Sequence, residues 1–320
     1  MHTVQKTLFD QVQRETGLAR IELYEEPVPN IDGIAVYFNK TPSDIVCPHF
    51  WELRWAFGCP YDCAYCYLQG TGRGNKSPRY RPVSKVLDAL RKAFEHEYFA
   101  RHPAIFNSGE LSDSLMNPSN MRQIADFFET QSRHKLLLLT KGDRVEWLTE
   151  EHRKQTIPSF SLNATDVWRE WEKRTPSPQQ RISAAKQLIL SGYEVRIRID
   201  PIIPIEDWQT SYEDLIYTLF SELPSDPNRI TLGTPRGLAK TLMFAKDRTW
   251  EKTAFTDTPE RSGWGKKAPL QLRKDIYLFI CNKLAELGFD KSRIALCKET
   301  QMMWKELGMN PQQSKCNCVW

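Results

Sequence analysis

The chain has 320 residues, a length that suits one large domain or two of ordinary size. Its 40% hydrophobic and 26% charged residues are typical of a soluble globular protein, and a net charge of +4 is too small to indicate a partner by itself. No apolar run approaches the roughly eighteen residues of a membrane span, and the polar start is neither a signal peptide nor a membrane anchor. We therefore expect a cytoplasmic protein without membrane association.

Strand-like apolar runs alternate with amphipathic stretches along most of the chain. Residues 1–46 are predicted to form an N-terminal extension, with a helix near 4–15 and strands near 19–24 and 33–38. Six strands are predicted next, near 50–57, 104–107, 135–140, 158–163, 194–199 and 229–233, with helices near 83–99, 118–131, 144–154, 178–192 and 210–222 between them. Repeated strand–helix units imply a parallel sheet, and six are too few for a closed eight-fold barrel. The predicted fold class is α/β, a partial, open (β/α)6 TIM-type barrel over residues 47–235.

Three cysteines follow the first of these core strands in the run FGCPYDCAYCYLQG, at the spacing C-x3-C-x2-C. Three thiolates this close can hold three irons of a [4Fe–4S] cluster and leave the fourth iron open to an external ligand. The alternative is a zinc knuckle, for which His49 would have to supply the fourth ligand. The residues concerned are Cys59, Cys63 and Cys66.

The remaining part, residues 236–320, is predicted to complete the site with a basic and aromatic region, a long helix near 268–287 and a cysteine-containing tail. Between Arg236 and Lys274 the basic residues exceed the acidic ones by six, and four aromatic residues are interleaved with them. Cations for phosphates and flat rings for unstacked bases are typical of a nucleic-acid surface. The alternative is a solvated surface whose charge is incidental. The basic residues are Arg236, Lys240, Lys246, Arg248, Lys252, Arg261, Lys266, Lys267, Arg273 and Lys274.

A second group of cysteines lies near the C-terminus. Cys297, Cys316 and Cys318 come within the last 24 residues, the last two in the run CNCVW. With one more ligand they would hold a second Fe–S cluster or a metal ion, or one thiol would fold over the barrel mouth as a hydrogen donor. The alternative is a frayed tail and a small core residue. Cys47 and Cys281 are interpreted as packing residues.

From about Cys47 to Thr234 the chain resembles the radical SAM superfamily, and within it the spore photoproduct lyase-like group of DNA repair photolyase-like proteins. The resemblance rests on CPYDCAYCYLQG, SGELSDS, LLLLTKGDR and RIRIDPIIPIEDW. It implies that Cys59, Cys63 and Cys66 hold a [4Fe–4S] cluster whose open iron binds S-adenosylmethionine (SAM). Reduction of the cluster, by a donor such as flavodoxin or ferredoxin, would cleave SAM to a 5′-deoxyadenosyl radical.

The resemblance also assigns roles to residues at the strand ends. It implies that the segment after the second core strand holds the SAM amino group, with Ser108, Gly109 and Glu110 as the main candidates and Ser112 and Asp113 as weaker ones. It pairs Lys141 with the SAM carboxylate and places Ser161 and Asn163 near the ribose hydroxyls. Arg198 and Asp200 either point into the barrel or form a buried ion pair. Tyr65 and Tyr67 flank Cys66, where one is expected to cover the cluster or adenine and one to take part in hydrogen transfer.

Spore photoproduct lyases cleave the bond between two cross-linked thymines and use a cysteine shortly after the cluster motif to quench the product radical. Here no cysteine occurs between Cys66 and Cys281, and the corresponding loop reads FNSGELSDS. An isomerase recycles the abstracted hydrogen and needs no separate donor. The sequence therefore favours isomerisation or remodelling of a modified thymine in DNA, with thymine-dimer repair as the alternative. Radical chemistry on RNA, a peptide or a small molecule, and a non-catalytic Fe–S or zinc module, stay open.

Overall fold

The fold is built on one eight-stranded sheet whose strand order follows the chain. The structure is a computed structural model that describes residues 28–255 and 259–320. The strands are β1 (Ala35–Phe38), β2 (Phe50–Leu53), β3 (Ile105–Asn107), β4 (Lys135–Thr140), β5 (Thr156–Leu162), β6 (Arg196–Ile199), β7 (Arg229–Leu232) and β8 (Ile294–Leu296). Strand β1 pairs with β2 antiparallel, and every later neighbour pair from β2 to β8 is parallel. In the described residues the edge strands β1 and β8 do not pair, so the sheet is open.

The parallel strands are buried on both faces because helices cover the outer one. All seven residues of β5 and all four of β6 are buried, as expected for strands whose crossovers place helices on the sheet. The larger helices are Val83–Glu95, Pro118–Phe128, Pro178–Leu190, Trp208–Glu222 and Leu270–Glu286. The shorter ones are Leu68–Thr71, Glu97–Arg101, Glu146–Thr149, Thr165–Trp171, Ala239–Phe244, Thr249–Phe255 and Gln301–Glu306, with one 3-10 turn at Lys291–Arg293. None of the helices in the described part of the chain is long and apolar enough to cross a membrane.

Short strand pairs fasten the loops to one another outside the main sheet. Asp62–Cys63 pairs with Glu172–Lys173, and Ile45–Val46 pairs with Glu299–Thr300. Two further antiparallel pairs join Ala56–Phe57 to Arg79–Tyr80 and Glu260–Ser262 to Gly265–Lys267. The first pair matters most for function, because it fixes the cysteine loop to the segment that follows β5.

The C-terminal tail lies on the inner face of the sheet. The Asn317 amide donates to Ser159 Oγ on β5 and to the Ile197 carbonyl on β6, and it accepts from the Thr231 hydroxyl on β7. Cys318 Sγ is 3.6 Å from the Asn107 amide on β3 and 3.2 Å from the Arg198 guanidinium on β6. The strands β3 and β6 are three places apart in the sheet, yet side chains from both contact the same sulfur atom. The sheet therefore curls around the tail.

The predicted α/β fold with an open parallel sheet is confirmed. The count of parallel strands is seven rather than six, because the apolar segment at 293–297 adds β8 beside β7, and the strand predicted at 33–38 joins the same sheet as β1. The helix predicted at 83–99 breaks where His96 turns extended and its ring accepts from Tyr98 N to cap the next helix. The helix predicted at 144–154 is limited to Glu146–Thr149. The helix and strand predicted at 4–15 and 19–24 lie outside the described residues.

Candidate active site

A cavity of about 350 Å³ opens at the carboxyl ends of the parallel strands, where ligands bind in sheets of this type. Cys59, Cys63 and Cys66 all line it, and none is in a disulfide. Burial raises the pKa of all three thiols, that of Cys63 to about 12. Such thiols give up their protons only to a strongly bound cation, which is how iron is held by cysteine.

The thiols do not converge on a single point. Among the described residues, no three His, Cys, Asp or Glu side chains stand close enough to hold one metal ion. Because each thiolate of a cubane binds a different iron, cluster ligands do not need to meet at one atom. His49, the fourth ligand required by the zinc alternative, packs edge-on to Tyr37 at 5.5 Å and does not line the cavity. The donor set therefore fits a cluster better than a zinc ion.

A buried carboxylate anchors the cysteine loop. Glu172 pairs in register with Cys63, and its fully buried side chain accepts from Arg181 at 2.6 Å, from Lys141 at 2.9 Å and from the Tyr65 hydroxyl. Burial alone would raise the pKa of this carboxyl, but the charges of Arg181 and Lys141 hold it well below its usual range. Glu172 lies in the polar run REWEKR, which gave no sign of this role in the sequence. The network fixes Tyr65 on the wall of the cavity.

Two predicted residues, Lys141 and Asp113, line the cavity but are engaged with the protein. Lys141 is committed to Glu172, so its predicted role at the SAM carboxylate would require it to leave that ion pair. Asp113 accepts from the Thr140 hydroxyl and the Lys141 amide, both at 2.7 Å. Its carboxylate therefore holds the turn after β4 in place.

Tyr67 and Glu110 meet on another wall of the cavity. The Tyr67 hydroxyl donates to the Glu110 backbone carbonyl and lies 3.3 Å from its carboxylate. Burial raises the pKa of Glu110, but the Lys298 ammonium, 3.6 Å from the carboxylate, and the Arg198 guanidinium outweigh it and hold that pKa below its usual value. Glu110 is therefore a charged hydrogen-bond acceptor, which its predicted role at the SAM amino group requires. The Lys298 ammonium already stands beside it.

The other predicted SAM contacts divide into those that reach the cavity and those that do not. Gly109, Ser112 and Ser161 line it. A Cβ on Gly109 would stand 2.3 Å from the Leu139 carbonyl, so only glycine fits there. Ser108 and Asn163 do not line the cavity, so the structure does not bring them together with the other candidates. The Ser108 hydroxyl bonds to the Leu137 carbonyl and Ser114, and the Asn163 amide is used by Glu172, Pro201 and Tyr212.

A polar cluster stands at the ends of β6 to β8. Asp200 accepts two bonds from Arg236, at 2.9 and 3.0 Å, whereas Arg198 is 3.9 Å away. Arg198 and Asp200 thus both line the cavity and form an ion pair, but the closer partner of Asp200 is Arg236. The Cys297 thiol also lines the cavity, near Asp200. Burial raises the pKa of Cys297, which keeps its proton on sulfur.

The tail cysteines are placed differently. Cys316 and Cys318 are buried and stand two residues apart on the tail, and neither lines the cavity. Arg198 connects the two places, because its guanidinium reaches both Cys318 Sγ and Asp200. The predicted second site at Cys297, Cys316 and Cys318 is therefore divided between the cavity wall and the interior of the sheet.

The basic segment is not one continuous surface. Lys267 and Arg273 are fully buried against Glu299, and Arg236 is held by Asp200. Other acids neutralise further members of the segment: the half-buried Glu251 pairs with Arg248 and Lys266, and the exposed Glu306 pairs with Lys274. The aromatic residues divide in a similar way, since Phe255 is a core residue, Trp250 is buried with one side on the cavity, and Trp264 lines the cavity. The expectation that the whole segment faces phosphates is corrected for these residues.

A sequence profile of the spore photoproduct lyase family matches residues 49–233, more than half of the chain. The chain belongs to the spore photoproduct lyase family. It is 28% identical over 172 residues to the spore photoproduct lyase of Clostridium acetobutylicum, covering 52% of this chain and 50% of that protein. It is 30% identical over 180 residues to the spore photoproduct lyase of Bacillus subtilis, covering 55% of this chain and 52% of that protein. The chain thus spans about half the length of the curated relatives it matches.

Solved structures of spore photoproduct lyases and of one other protein share the fold. A spore photoproduct lyase complexed with dinucleoside spore photoproduct superposes with a TM-score of 0.66 at 20% identity, covering 77% of this chain and 75% of that one. A mutant spore photoproduct lyase with bound AdoMet and dinucleoside spore photoproduct gives 0.65 at 21% identity over the same shares. The structure of Streptococcus suis SuiB bound to its precursor peptide SuiA gives 0.51 at 15% identity, covering 82% of this chain and 51% of that one.

Proposed function

We propose that this chain is a radical SAM enzyme that splits a thymine–thymine photoproduct in DNA. The observation that carries the proposal is the opening of the three free cysteines onto a cavity at the carboxyl edge of the sheet, in a chain of the spore photoproduct lyase family. Cys59, Cys63 and Cys66 would hold a [4Fe–4S] cluster. When bound, cluster and SAM supply a 5′-deoxyadenosyl radical that abstracts a hydrogen atom.

The chain's own residues would bind SAM and shelter the reaction. The Gly109 backbone lines the cavity, and Glu110 and Ser112 offer a carboxylate and a hydroxyl beside it. Ser161, on the next wall, offers a hydroxyl to a ribose. Tyr65, held by Glu172, supplies a rigid aromatic surface next to the cysteines. A largely apolar lining keeps water from a reactive carbon radical.

Cys297 supports the lyase reading over isomerisation. The loop FNSGELSDS has no thiol, and that absence favours an isomerase. Cys297 brings a protonated thiol to the same cavity from β8, on the far side of the sheet. A lyase needs a hydrogen donor for the product, and this thiol is suited to the task. Tyr67, with its hydroxyl proton held toward Glu110, is the second candidate.

Isomerisation or remodelling of a modified thymine remains the second candidate function, because the thiol-free loop favours it. The test uses cluster-reconstituted protein under anaerobic conditions with SAM, dithionite and an oligonucleotide carrying spore photoproduct. Mass spectrometry would follow restored thymine and 5′-deoxyadenosine together, with Cys63→Ala as the blank. Restored thymine supports the lyase, and its loss in Cys297→Ala but not in Cys281→Ala identifies the donor. 5′-Deoxyadenosine without restored thymine contradicts the lyase and favours the isomerase.

A further inference from the structure

A second cavity, of about 480 Å³, lies directly beside the first. We call it the side groove and define it by Gly70 and Thr71 on one short helix and Lys240 and Thr241 on another, with Arg73 at its rim. Tyr67 and Leu238 line both cavities. A ligand that emerges from the central cavity past these two side chains therefore enters the side groove.

The position of the side groove relative to the cysteine loop is fixed by close packing. A Cβ on Gly70 would stand 2.6 Å from the Thr241 amide nitrogen, so the two short helices meet backbone to backbone. Gln69 ties them together, because its side chain accepts from Lys246 N at 3.1 Å and donates to the Ala64 carbonyl at 2.7 Å. The groove is thus part of the rigid frame that holds Cys63 and Cys66.

The charge of the side groove is uncompensated. Arg73 and Lys240 are both exposed, and in the part of the chain that the structure describes neither has an acidic partner. This separates them from Arg236, Lys267 and Arg273 of the basic segment, which carboxylates already neutralise. Two cations over a mainly apolar floor suit a ligand with phosphate charges and a flat or sugar-like body.

We infer that the side groove binds the backbone and sugar of the nucleotide next to the one that enters the central cavity. The inference rests on the proposed function, since it takes the occupant of the central cavity to be a base of DNA. A base that leaves the stack pulls its flanking phosphates to the mouth of the pocket. Arg73 and Lys240 would neutralise those phosphates, and Tyr67 would separate the reacting base from its neighbour.

An acidic electron-donor protein is also attracted to cations near a cluster, but the shape of the site favours a nucleic-acid strand. Protein partners of standard size cover about 800 Å² of each surface. The side groove is bounded by two short helices and is continuous with the central cavity through Tyr67 and Leu238. A single strand follows a groove of this kind, whereas a folded protein would span it.

The experiment measures binding of a fluorescein-labelled single-stranded oligothymidylate to cluster-reconstituted protein by anisotropy across a salt series. Arg73→Glu and Lys240→Glu are compared with Lys291→Glu, which makes the same charge change. Lys291 lies just before β8, at the amino ends of the parallel strands, whereas the central cavity opens at their carboxyl ends. We expect each groove variant to weaken binding about tenfold at low salt and to reduce the slope of log affinity against log salt by about one. Lys291→Glu is expected to bind like the wild type.

Thermal unfolding and iron content confirm that each variant is folded and loaded. Groove variants that bind like Lys291→Glu overturn the side-groove inference while the proposed function stands. Wild-type protein that does not bind the oligonucleotide at all contradicts the DNA substrate itself, and with it the inference. Normal DNA binding with slower cluster reduction by an acidic flavodoxin assigns the groove to the electron donor and also overturns the inference.

Discussion

The molecule carries two groups of cysteines. Within each group the cysteines are close together in sequence, but the two groups have different roles. Cys59, Cys63 and Cys66 sit on a loop whose thiols face a cavity. Cys316 and Cys318 sit on a tail held inside the sheet, where Asn107 and Arg198 donate to the Cys318 sulfur. Both groups carry free thiols; Cys63, Cys316 and Cys318 are buried, whereas Cys59 and Cys66 are partly exposed. What differs is the neighbouring space: the loop thiols adjoin room for a cluster and its ligand, and the tail thiols fill the interior.

This difference shows that cysteine spacing identifies candidates and that the surroundings assign their roles. The loop is fastened from outside the cavity, by Glu172 behind it and Gln69 beside it, so its thiols stay available. The tail is fastened through its own polar groups: Asn317 bonds to three strands, and its carbonyl accepts from Arg196. Three changes, taken from the largest expected effect to the smallest, test whether the first group is chemical and the second structural. A fourth change, with the smallest expected effect, tests a buried group away from both.

Cys63→Ala is expected to abolish cluster binding and SAM cleavage, because a site with two thiolates does not hold the cubane. Cys318→Ala is the matched change in the tail and is expected to keep both. Iron content, the visible absorption of the cluster and 5′-deoxyadenosine formation are the measurements. A loss of iron from Cys318→Ala comparable to that from Cys63→Ala would show that the tail holds a second cluster and break the comparison.

Glu172→Gln removes the carboxylate behind the cysteine loop and leaves the buried Arg181 guanidinium without its counter-charge. We expect the free energy of unfolding to fall by about 4 kcal/mol, since breaking a buried pair leaves an uncompensated charge. Glu150→Gln, which affects only an exposed pair with Arg122, should change it by less than about 0.5 kcal/mol. Urea denaturation of the two variants measures the difference. Equal stabilities would mean that the loop is held by other contacts.

Asn317→Ala tests the tail as a structural element. It removes buried hydrogen bonds to Ser159, Ile197 and Thr231 and leaves some of their groups without partners. We expect a loss of about 2 kcal/mol in the free energy of unfolding. Asn310→Ala, in an exposed turn near the same terminus, is the control and should be close to neutral. A stability loss no larger than that of the control would show that the tail does not support the sheet.

His134 lies away from both cysteine groups, and its burial leads us to expect a pH-dependent free energy of unfolding. Burial lowers the pKa of this imidazole to about 4, against 6.5 for the ordinary group. Between those values the unfolded chain binds more protons, so stability is present above pH 6.5 and is lost as pH falls toward 4. Comparison of pH 7 with pH 5 should show a loss of about 1.5 kcal/mol from this group. His134→Gln should reduce that difference, and an unchanged pH dependence would contradict the assignment.

Much of the fold could be predicted because the apolar runs have strand length and are regularly spaced. Strand β4 appears at the predicted residues, 135–140, since KLLLLT has no other way to bury its side chains. Errors occurred where local and tertiary preferences compete. The stretch at 144–154 has helical periodicity, but beyond Glu146–Thr149 its Arg153 side chain is used by Asp126 and by backbone carbonyls. That competition is not visible in a single sequence.

The site was predictable in its chemistry and less so in its contacts. The spacing C-x3-C-x2-C identified three thiols because cluster ligands must lie close along the chain. No such constraint links Glu172 to Arg181 and Lys141, or Cys297 to Asp200, so these partners and the cavity position of Cys297 emerge only in the fold. The same holds for Ser108 and Asn163, whose residue types suit SAM but whose side chains are used by the protein.

The sequence by itself determined the α/β class and the cysteine loop, because both depend on short-range spacing. Only the tertiary structure decided which charges are free. Arg236, Lys267 and Arg273 belong to the same basic run as Lys240. Carboxylates from the segments after β6 and after β8 neutralise these three and leave Lys240 beside Arg73. A charge acts on a partner according to its nearest neighbours, and those neighbours come from distant parts of the chain.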